Sequence, residues 1–249
     1  MRRFLPVLLS FLAACAGNKA APSADRVQAI VAAPDRTPED RALDAGRKPA
    51  ETLSFVQLSP GMRVAELGAG AGYTTELLAR AVAPDGVVYA QNPDVFVKSF
   101  LKDRWPARLS RPAMKNVVRV DREFDDPLPP EAKDLDRVVM YAIYHDVTYL
   151  PVDREKMNRA IFSALKPGGE FVVIDSSAKA GTGAQDAKTL HRIDEQFVKD
   201  EVEKAGFKLQ ADGDFLRNPQ DSRDWNSSPP AAGERRGTSD RFALRFVKP

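Results

Sequence analysis

Apolar residues along this chain recur first with a helical period and then as short runs. Val27, Ile30 and Val31 share one helical face, and Leu53, Phe55, Val56 and Leu58 form a second amphipathic stretch after Pro49. Between them Thr37, Pro38, Glu39 and Asp40 make a helix start, with a capping hydroxyl, proline in the first turn and early acids. From Pro60 the pattern changes. Residues 62–67 read as a strand, 73–82 as a helix ended by Pro84, Asp85 and Gly86, and 87–90 as a second strand. Residues 117–120, 137–143 and 171–174 read as three more strands, the last preceded by a helix over 157–165 that stops at Lys166, Pro167, Gly168 and Gly169. Residues 194–205 predict a further helix closed by Gly206, and 207–209 and 242–246, with no helix between them, predict an antiparallel pair. Strands separated by helices imply right-handed crossovers and a mostly parallel sheet with helices on both faces. The polar stretch 217–241 shows no period, as in a functional lid or a disordered loop.

The most informative segment is 64–72, VAELGAGAG, where an acid and three glycines sit at the turn from the first strand into a helix. Backbone without a Cβ can approach a ligand closely. Nicotinamide and flavin folds place the third glycine three positions after the second, as G-x-G-x-x-G. Here the spacing is G-x-G-x-G, with Glu66 two positions ahead of Gly68. This arrangement resembles motif I of the class I methyltransferases. The resemblance runs from about Asp40 to Pro249. Lys166, Pro167, Gly168 and Gly169 look like the turn before their fifth strand, and the terminal pair looks like their reversed sixth and seventh strands. Arg47, Lys48 and Pro49, and the run His191, Arg192, Ile193, Asp194, are similar to segments of a set of predicted bacterial methyltransferases.

The resemblance implies a Rossmann-like α/β fold, a seven-stranded mostly parallel sheet with an N-terminal helical lead-in, that binds S-adenosylmethionine. It implies that Gly68, Ala69, Gly70 and Gly72 pack against the cofactor, with Glu66 near the methionine amine and Tyr73 flanking the pocket. Most relatives end the second strand in an acid that takes both ribose hydroxyls. Here Asn92 stands in that place, and its amide, accepting through oxygen and donating through nitrogen, can still hold a ribose. Asp121, ending the third strand, stands where the family puts an acid or amide beside the adenine amine.

Methyl transfer is an in-line displacement, so positioning supplies much of the rate and a base is needed only for a protonated acceptor. In open α/β sheets the site lies beyond the carboxyl ends of the strands. The fourth strand runs out through Tyr141, Ala142, Ile143, Tyr144, His145 and Asp146, which makes His145 the candidate base and Asp146 a carboxylate beside it. His191 is a candidate substrate contact, just ahead of Asp194, which looks like a helix cap. The alternative is that Tyr141, Tyr144 and Tyr149 are packing residues and both histidines are merely hydrogen-bonded. Two histidines, no cysteine pair and scattered acids give no metal-site spacing, so no metal is expected. There is no G-x-S-x-G elbow, which argues against an α/β-hydrolase.

At 249 residues and 43% hydrophobic side chains the chain has material for one substantial core and a targeting segment. Arg2 and Arg3, then an apolar run over 4–14, read as an export signal too short to span a bilayer. Leu12, Ala13, Ala14 and Cys15 resemble the lipobox of bacterial lipoproteins, which implies cleavage before Cys15, lipidation there, and outer-membrane retention because Ala16 is not Asp. Several acyl chains on one residue anchor durably, at about 0.8 kcal/mol per buried methylene. Cys15 is the single cysteine, so no disulfide is expected. The expected division is a signal over 1–14, the lipidated residue and tether over 15–24, a helical segment over 25–60 and the methyltransferase-like domain over 61–249. Removing 1–14 leaves 35 basic against 35 acidic residues, without the basic face nucleic acid requires. The expectation is therefore methyl transfer to a small molecule or envelope component, the rival being a lipoprotein that keeps the fold as a binding module.

Overall fold

The computed structural model describes residues 22–249, so the expected signal and Cys15 lie outside the described residues. The chain opens with three helices, α1 (Ala24–Val31), α2 (Pro38–Arg47) and α3 (Pro49–Val56). Ser23 caps α1 by accepting from the Arg26 N–H, so the helical lead-in begins just inside the segment expected as tether. Thr37 caps α2 in the same way, accepting from Asp40 at 3.1 Å.

The sheet follows: β1 (Arg63–Leu67), α4 (Tyr73–Val82), β2 (Val87–Asn92), α5 (Asp94–Lys98), α6 (Arg104–Leu109), β3 (Val117–Asp121) and β4 (Leu135–Tyr141). The second half is α7 (Arg154–Ala164), β5 (Leu165–Ser176), α8 (Ala187–Leu190), α9 (Glu195–Lys204), β6 (Lys208–Gly213) and β7 (Arg241–Val247). Seven strands pair in the order β3-β2-β1-β4-β5-β7-β6, all parallel except β7, which runs antiparallel to both neighbours.

Because successive strand residues point to opposite faces, each central strand feeds two cores. Phe171 and Val173 of β5, with Phe242, Leu244 and Phe246 of β7, pack under α7 and α9 against Met157, Ile161, Val198 and Val202. Val172, Ile174 and Ala243 face the other way, toward α1, α3 and α4 through Ile30, Leu53 and Leu78. The near-continuous apolar runs of the inner strands are the mark of a sheet covered on both faces.

Three segments depart from the sequence reading. Lys166–Gly169 does not precede the fifth strand but bulges out within it: Leu165 pairs with Leu135, and the next pair is Glu170 with Arg137. Pro167 is tolerated there because the bulged residues need not donate to the ladder. Two short helices, α5 and α6, fill the unassigned stretch between β2 and β3. The polar stretch 217–241 has only a short turn of helix at Gly233–Arg235, yet it is tied down. Arg192, fully buried, pairs with Asp221 at 2.8 Å and lies 4.6 Å over the Trp225 ring, while the Trp225 indole N–H and the Asp240 N–H both donate to Asp221. No helix among the described residues is long and apolar enough to cross a membrane.

Removing one partner of a buried ion pair leaves the other uncompensated, at a cost of about 3–5 kcal/mol. Arg192→Ala should therefore lower the urea midpoint by a correspondingly large step and make the 217–241 segment protease-sensitive. A variant as stable and as resistant as the parent would show that this loop is not held by the Arg192–Asp221 pair.

Candidate active site

The turn after β1 is built from backbone that has no room for side chains. Gly68, Gly70 and Gly72 all take positive φ (68°, 57° and 84°). A Cβ on Gly68 would stand 2.5 Å from Ile143, and one on Gly72 would stand 2.7 Å from Arg108 and 2.8 Å from Trp105. Gly70 differs: a Cβ there would meet only the Gly68 carbonyl, at 4.0 Å, so this residue presents bare backbone to open space. The buried N–H groups of the turn need acceptors. Gln91 accepts from Gly68 at 2.9 Å and Asn92 from Gly70 at 2.8 Å, while the Asn92 Nδ2 donates back to the Gly70 carbonyl at 3.2 Å.

That double contact corrects the role expected of Asn92. Its amide is fully buried and engaged at both ends with the turn, not offered to a ribose. An amide satisfies one N–H and one C=O at once, which an ionised carboxylate does not. Asp121 sits beside Asn92 in register but is exposed and paired with Arg119 at 2.6 Å. Glu66 also turns inward, accepting from the Thr75 hydroxyl at the start of α4. Burial pushes its carboxyl up to about 8, against the opposing pulls of Thr75, Arg47 and Thr74. Tyr73 donates to Asp44 at 2.7 Å, and burial raises its hydroxyl's pKa further.

Beside the turn lies a cavity of about 880 Å³, bounded by α2, α6, Ala71, the tip of β4 at Tyr141 and Ala142, Ser176 at the end of β5, and the 227–241 segment. Arginines dominate its charge. Arg108 is bound by Asp40 and Glu76, and Arg241 by the Tyr141 hydroxyl and backbone carbonyls. Arg47 lies 4.5 Å over the Tyr73 ring and 5.3 Å over the Tyr141 ring; its side chain, like those of Arg104 and Arg236 on the same cavity, makes no hydrogen bond or ion pair among the described residues, although its charge acts on the buried Glu66 carboxyl. Its RKP segment was visible in the sequence, but nothing there marked Arg47 as unpaired. Lys48 takes the left-handed conformation and anchors to the Phe215 carbonyl, and Pro49 opens α3, which fixes Arg47 over the cavity.

S-adenosylmethionine fits this end of the sheet. Gly70 leaves space at the turn, the cavity reaches both Ala71 and the tip of β4, and Arg47, held on aromatic faces, presents a guanidinium without an ion-pair partner among the described residues at the cavity wall. The ribose end has no open carboxylate or amide from Asn92.

Beyond β4 the fold gathers residues the sequence keeps apart. His145 Nδ1 lies 2.8 Å from Asp175 at the end of β5, and the His145 backbone N–H donates to the same carboxylate at 2.9 Å. Burial alone would lower the pKa of His145; the Asp175 charge overcomes it and raises it. His145 Nε2 lies 3.1 Å from His191 Nδ1 and 3.4 Å from Asp146. His191, half-buried, has its pKa lowered by burial and by His145. Asp146 thus does face His145, but the carboxylate that orients the ring is Asp175, which sequence reading missed; an acid closing the apolar run of β5 was its signal. Although the sequence shows no metal-site spacing, His145, Asp146 and His191 converge in space. Tyr144 is buried and bonded to Glu201 and Asn158, a packing residue. Asp194 caps α9 by accepting from Gln196.

A parallel sheet with a reversed seventh strand inserted beside the fifth, a glycine turn after β1 and polar groups at the carboxyl edge define the class I methyltransferase fold. Comparisons agree. The family of protein-L-isoaspartate(D-aspartate) O-methyltransferases matches over residues 21–103. A protein-L-isoaspartate O-methyltransferase of Pyrococcus horikoshii is 25% identical over 136 residues, 55% of this chain and 54% of that protein. An arsenite methyltransferase of Halobacterium salinarum is 28% identical over 135 residues, 53% of this chain and 32% of that one. The chain thus spans about half and about a third of the length of these curated relatives. A SAM-dependent methyltransferase from Aquifex aeolicus superposes with a TM-score of 0.58 at 17% identity, covering 92% of this chain and all of its own. The glycopeptide N-methyltransferase MtfA complexed with sinefungin gives 0.57 at 16% identity, covering 87% and 99%.

Glu66 yields a pH test. Its carboxyl keeps its proton up to about pH 8 in the fold and only to about 4.5 when unfolded, so its contribution to stability is lost as pH rises through that window. Glu66→Gln accepts from Thr75 without titrating. The two proteins should have similar urea midpoints near pH 4, and the variant should be the more stable near pH 9. Parallel curves would show that Glu66 does not titrate in this window.

Proposed function

We propose that the chain is an S-adenosylmethionine-dependent methyltransferase acting on a small molecule or a cell-envelope component. The observation that carries this reading is the cavity between the bare turn at Gly70 and the tip of β4, with Arg47 unpaired over it. When bound, the cofactor supplies an electrophilic methyl on a sulfonium. The chain's own residues do the placing. Gly70 makes room at the turn, Arg47 holds the carboxylate of the methionine end, and Tyr141 and Ala142 wall the tip of β4. The acceptor end in this reading is the cluster of His145, Asp146 and His191 beyond the tip of β4, where Asp175 fixes the His145 ring and turns Nε2 toward the half-exposed His191. The commitment of Asn92 to Gly70 favours one rival, a binding module that holds a ligand without turning it over.

Calorimetric titration of the full chain with S-adenosylmethionine and its demethylated product should show binding of both. Arg47→Ala should weaken each by about tenfold or more, since a hydrogen bond to a charged group contributes roughly 1.5–3 kcal/mol. Methylthioadenosine, which lacks the carboxylate, should bind parent and variant equally. No heat with any of the three would overturn the reading; binding without turnover of any acceptor would favour the binding module.

We propose as well that Cys15 carries a lipid that holds the domain on the periplasmic face of the outer membrane, supported by Arg2, Arg3, the apolar run over 4–14 and the small residues before the cysteine. Mass spectrometry of the mature N-terminus should find an acylated Cys15, and Cys15→Ser should release the protein from membranes. An unmodified cleaved terminus would refute the anchor.

A further inference from the structure

His145 and Asp146 follow β4, and His191 ends α8, 46 positions after His145. His145 Nε2 lies 3.1 Å from His191 Nδ1 and 3.4 Å from one Asp146 oxygen, and His191 Nδ1 lies 3.7 Å from the other. Ligand atoms about 2.0–2.2 Å from a tetrahedral ion stand about 3.3–3.5 Å apart. The nitrogen–nitrogen separation is a little shorter than that value and the two carboxylate distances, which are to different Asp146 oxygens, lie near it, so a small rotation of the Asp146 carboxylate brings one oxygen to both nitrogens around an ion. With Nδ1–H donated to Asp175, the Nε2 of a neutral His145 is a lone pair aimed at His191 Nδ1. The two nitrogens share a hydrogen bond when His191 carries its proton on Nδ1; with that proton on Nε2 instead, both lone pairs and the Asp146 carboxylate face one point, which a cation would occupy.

Charge points the same way. Asp175 is fully buried, and among the described residues neither it nor Asp146 has a lysine or arginine partner; their ion-pair contacts are to His145 and His191. Asp175 accepts from the His145 ring and from the His145 and Ser176 N–H groups, and Asp146, only partly buried, accepts from the Tyr149 hydroxyl, so the cluster is hydrogen-bonded but carries an excess of negative charge that a cation would balance. We propose that His145 Nε2, His191 Nδ1 and an Asp146 oxygen bind one divalent transition-metal cation, with Asp175 as the outer carboxylate that orients His145. The Asp175–His145 contact has the form in which a ligating imidazole donates its other N–H to a buried acid. Two nitrogens and one oxygen suit zinc, cobalt, nickel or iron rather than magnesium or calcium, which prefer oxygen sets. Three protein ligands leave a position open, and the side chains of His191 and Asp146 keep 27% and 17% of their surface exposed there.

The inference rests on the methyl-transfer reading only in placing this cation at the acceptor end. There it would lower the pKa of a bound hydroxyl or water, which removes the need for His145 as a base.

The test uses the full chain, stripped with chelator and titrated with Co²⁺ while visible absorption is recorded. One equivalent should produce the intense bands of a four- or five-coordinate site, and Zn²⁺ should bleach them. His191→Ala and Asp146→Asn lie at the half-exposed side of the cluster and should fold as the parent does by thermal melting. Each should weaken Co²⁺ binding by about 100-fold or more, exceeding the 10–100-fold typical for loss of an outer partner. Absence of the bands, or bands unchanged in both variants, would overturn the site. Calorimetry with S-adenosylmethionine on the stripped protein keeps the two readings separate: cofactor heat without cobalt bands sinks only the metal, and cobalt bands without cofactor heat sink only methyl transfer.

Discussion

At the tip of β1 the chain turns through backbone that two neighbouring elements press against directly. Ile143, arriving past β4, fills the space where Gly68 would carry a side chain, and Trp105 and Arg108 of α6 fill the space at Gly72. Glycine costs roughly 0.5–1 kcal/mol in backbone entropy relative to alanine, but an L-residue held at these positive φ values would lose about 1–2 kcal/mol and collide as well. The bare turn is thus what allows β4 and α6 to close on β1. Gln91 and Asn92 at the end of β2 complete the joint by accepting from its N–H groups. Everything at the carboxyl edge is positioned from it: the cavity begins at Ala71, and Ile143 stands two residues before His145.

Much of the fold was legible because its inner strands are unbroken apolar runs separated by amphipathic helices. Residues 171–174 and 242–246 fell within β5 and β7, and the reversed pairing of the last two strands followed from the missing helix between them. What failed was local. Lys166, Pro167, Gly168 and Gly169 are strong turn residues, yet tertiary pairing on both sides keeps them as a bulge within β5. The stretch 217–241 reads as loose because its composition is polar. Its order centres on a buried pair, Arg192 with Asp221, whose partners lie 29 positions apart and around which Trp225 and Asp240 also bond.

The site was legible residue by residue and not as a constellation. His145 and His191 were each recognisable, one by its place after β4 and one by the HRID run, but no spacing along the chain announces that the fold brings two of their ring nitrogens to 3.1 Å. Asn92 shows the opposite error. Its position at the end of β2 was read correctly, while its role depended on which way the amide turned, and the unsatisfied groups of Gly70 settled that.

Charge ties these observations together. Along α2, Asp40 is taken by Arg108 and Asp44 by Arg36 and Tyr73, so the acids nearest the cavity are already committed. Arg47 on the same helix is left with only aromatic faces. At the end of β5 the balance reverses: Ser176 lines the cavity, and its neighbour Asp175 reaches His145 with no lysine or arginine to answer it. Among the described residues, one margin of the carboxyl edge therefore has an arginine without an ion pair and the other has carboxylates met only by imidazoles, N–H groups and a hydroxyl. These groups do not neutralise each other, because the first faces the cavity and the second is enclosed around two imidazoles. Charge held in this way favours a fold whose counter-charges come from bound groups, and that is the physical ground on which both proposals for this edge stand or fall.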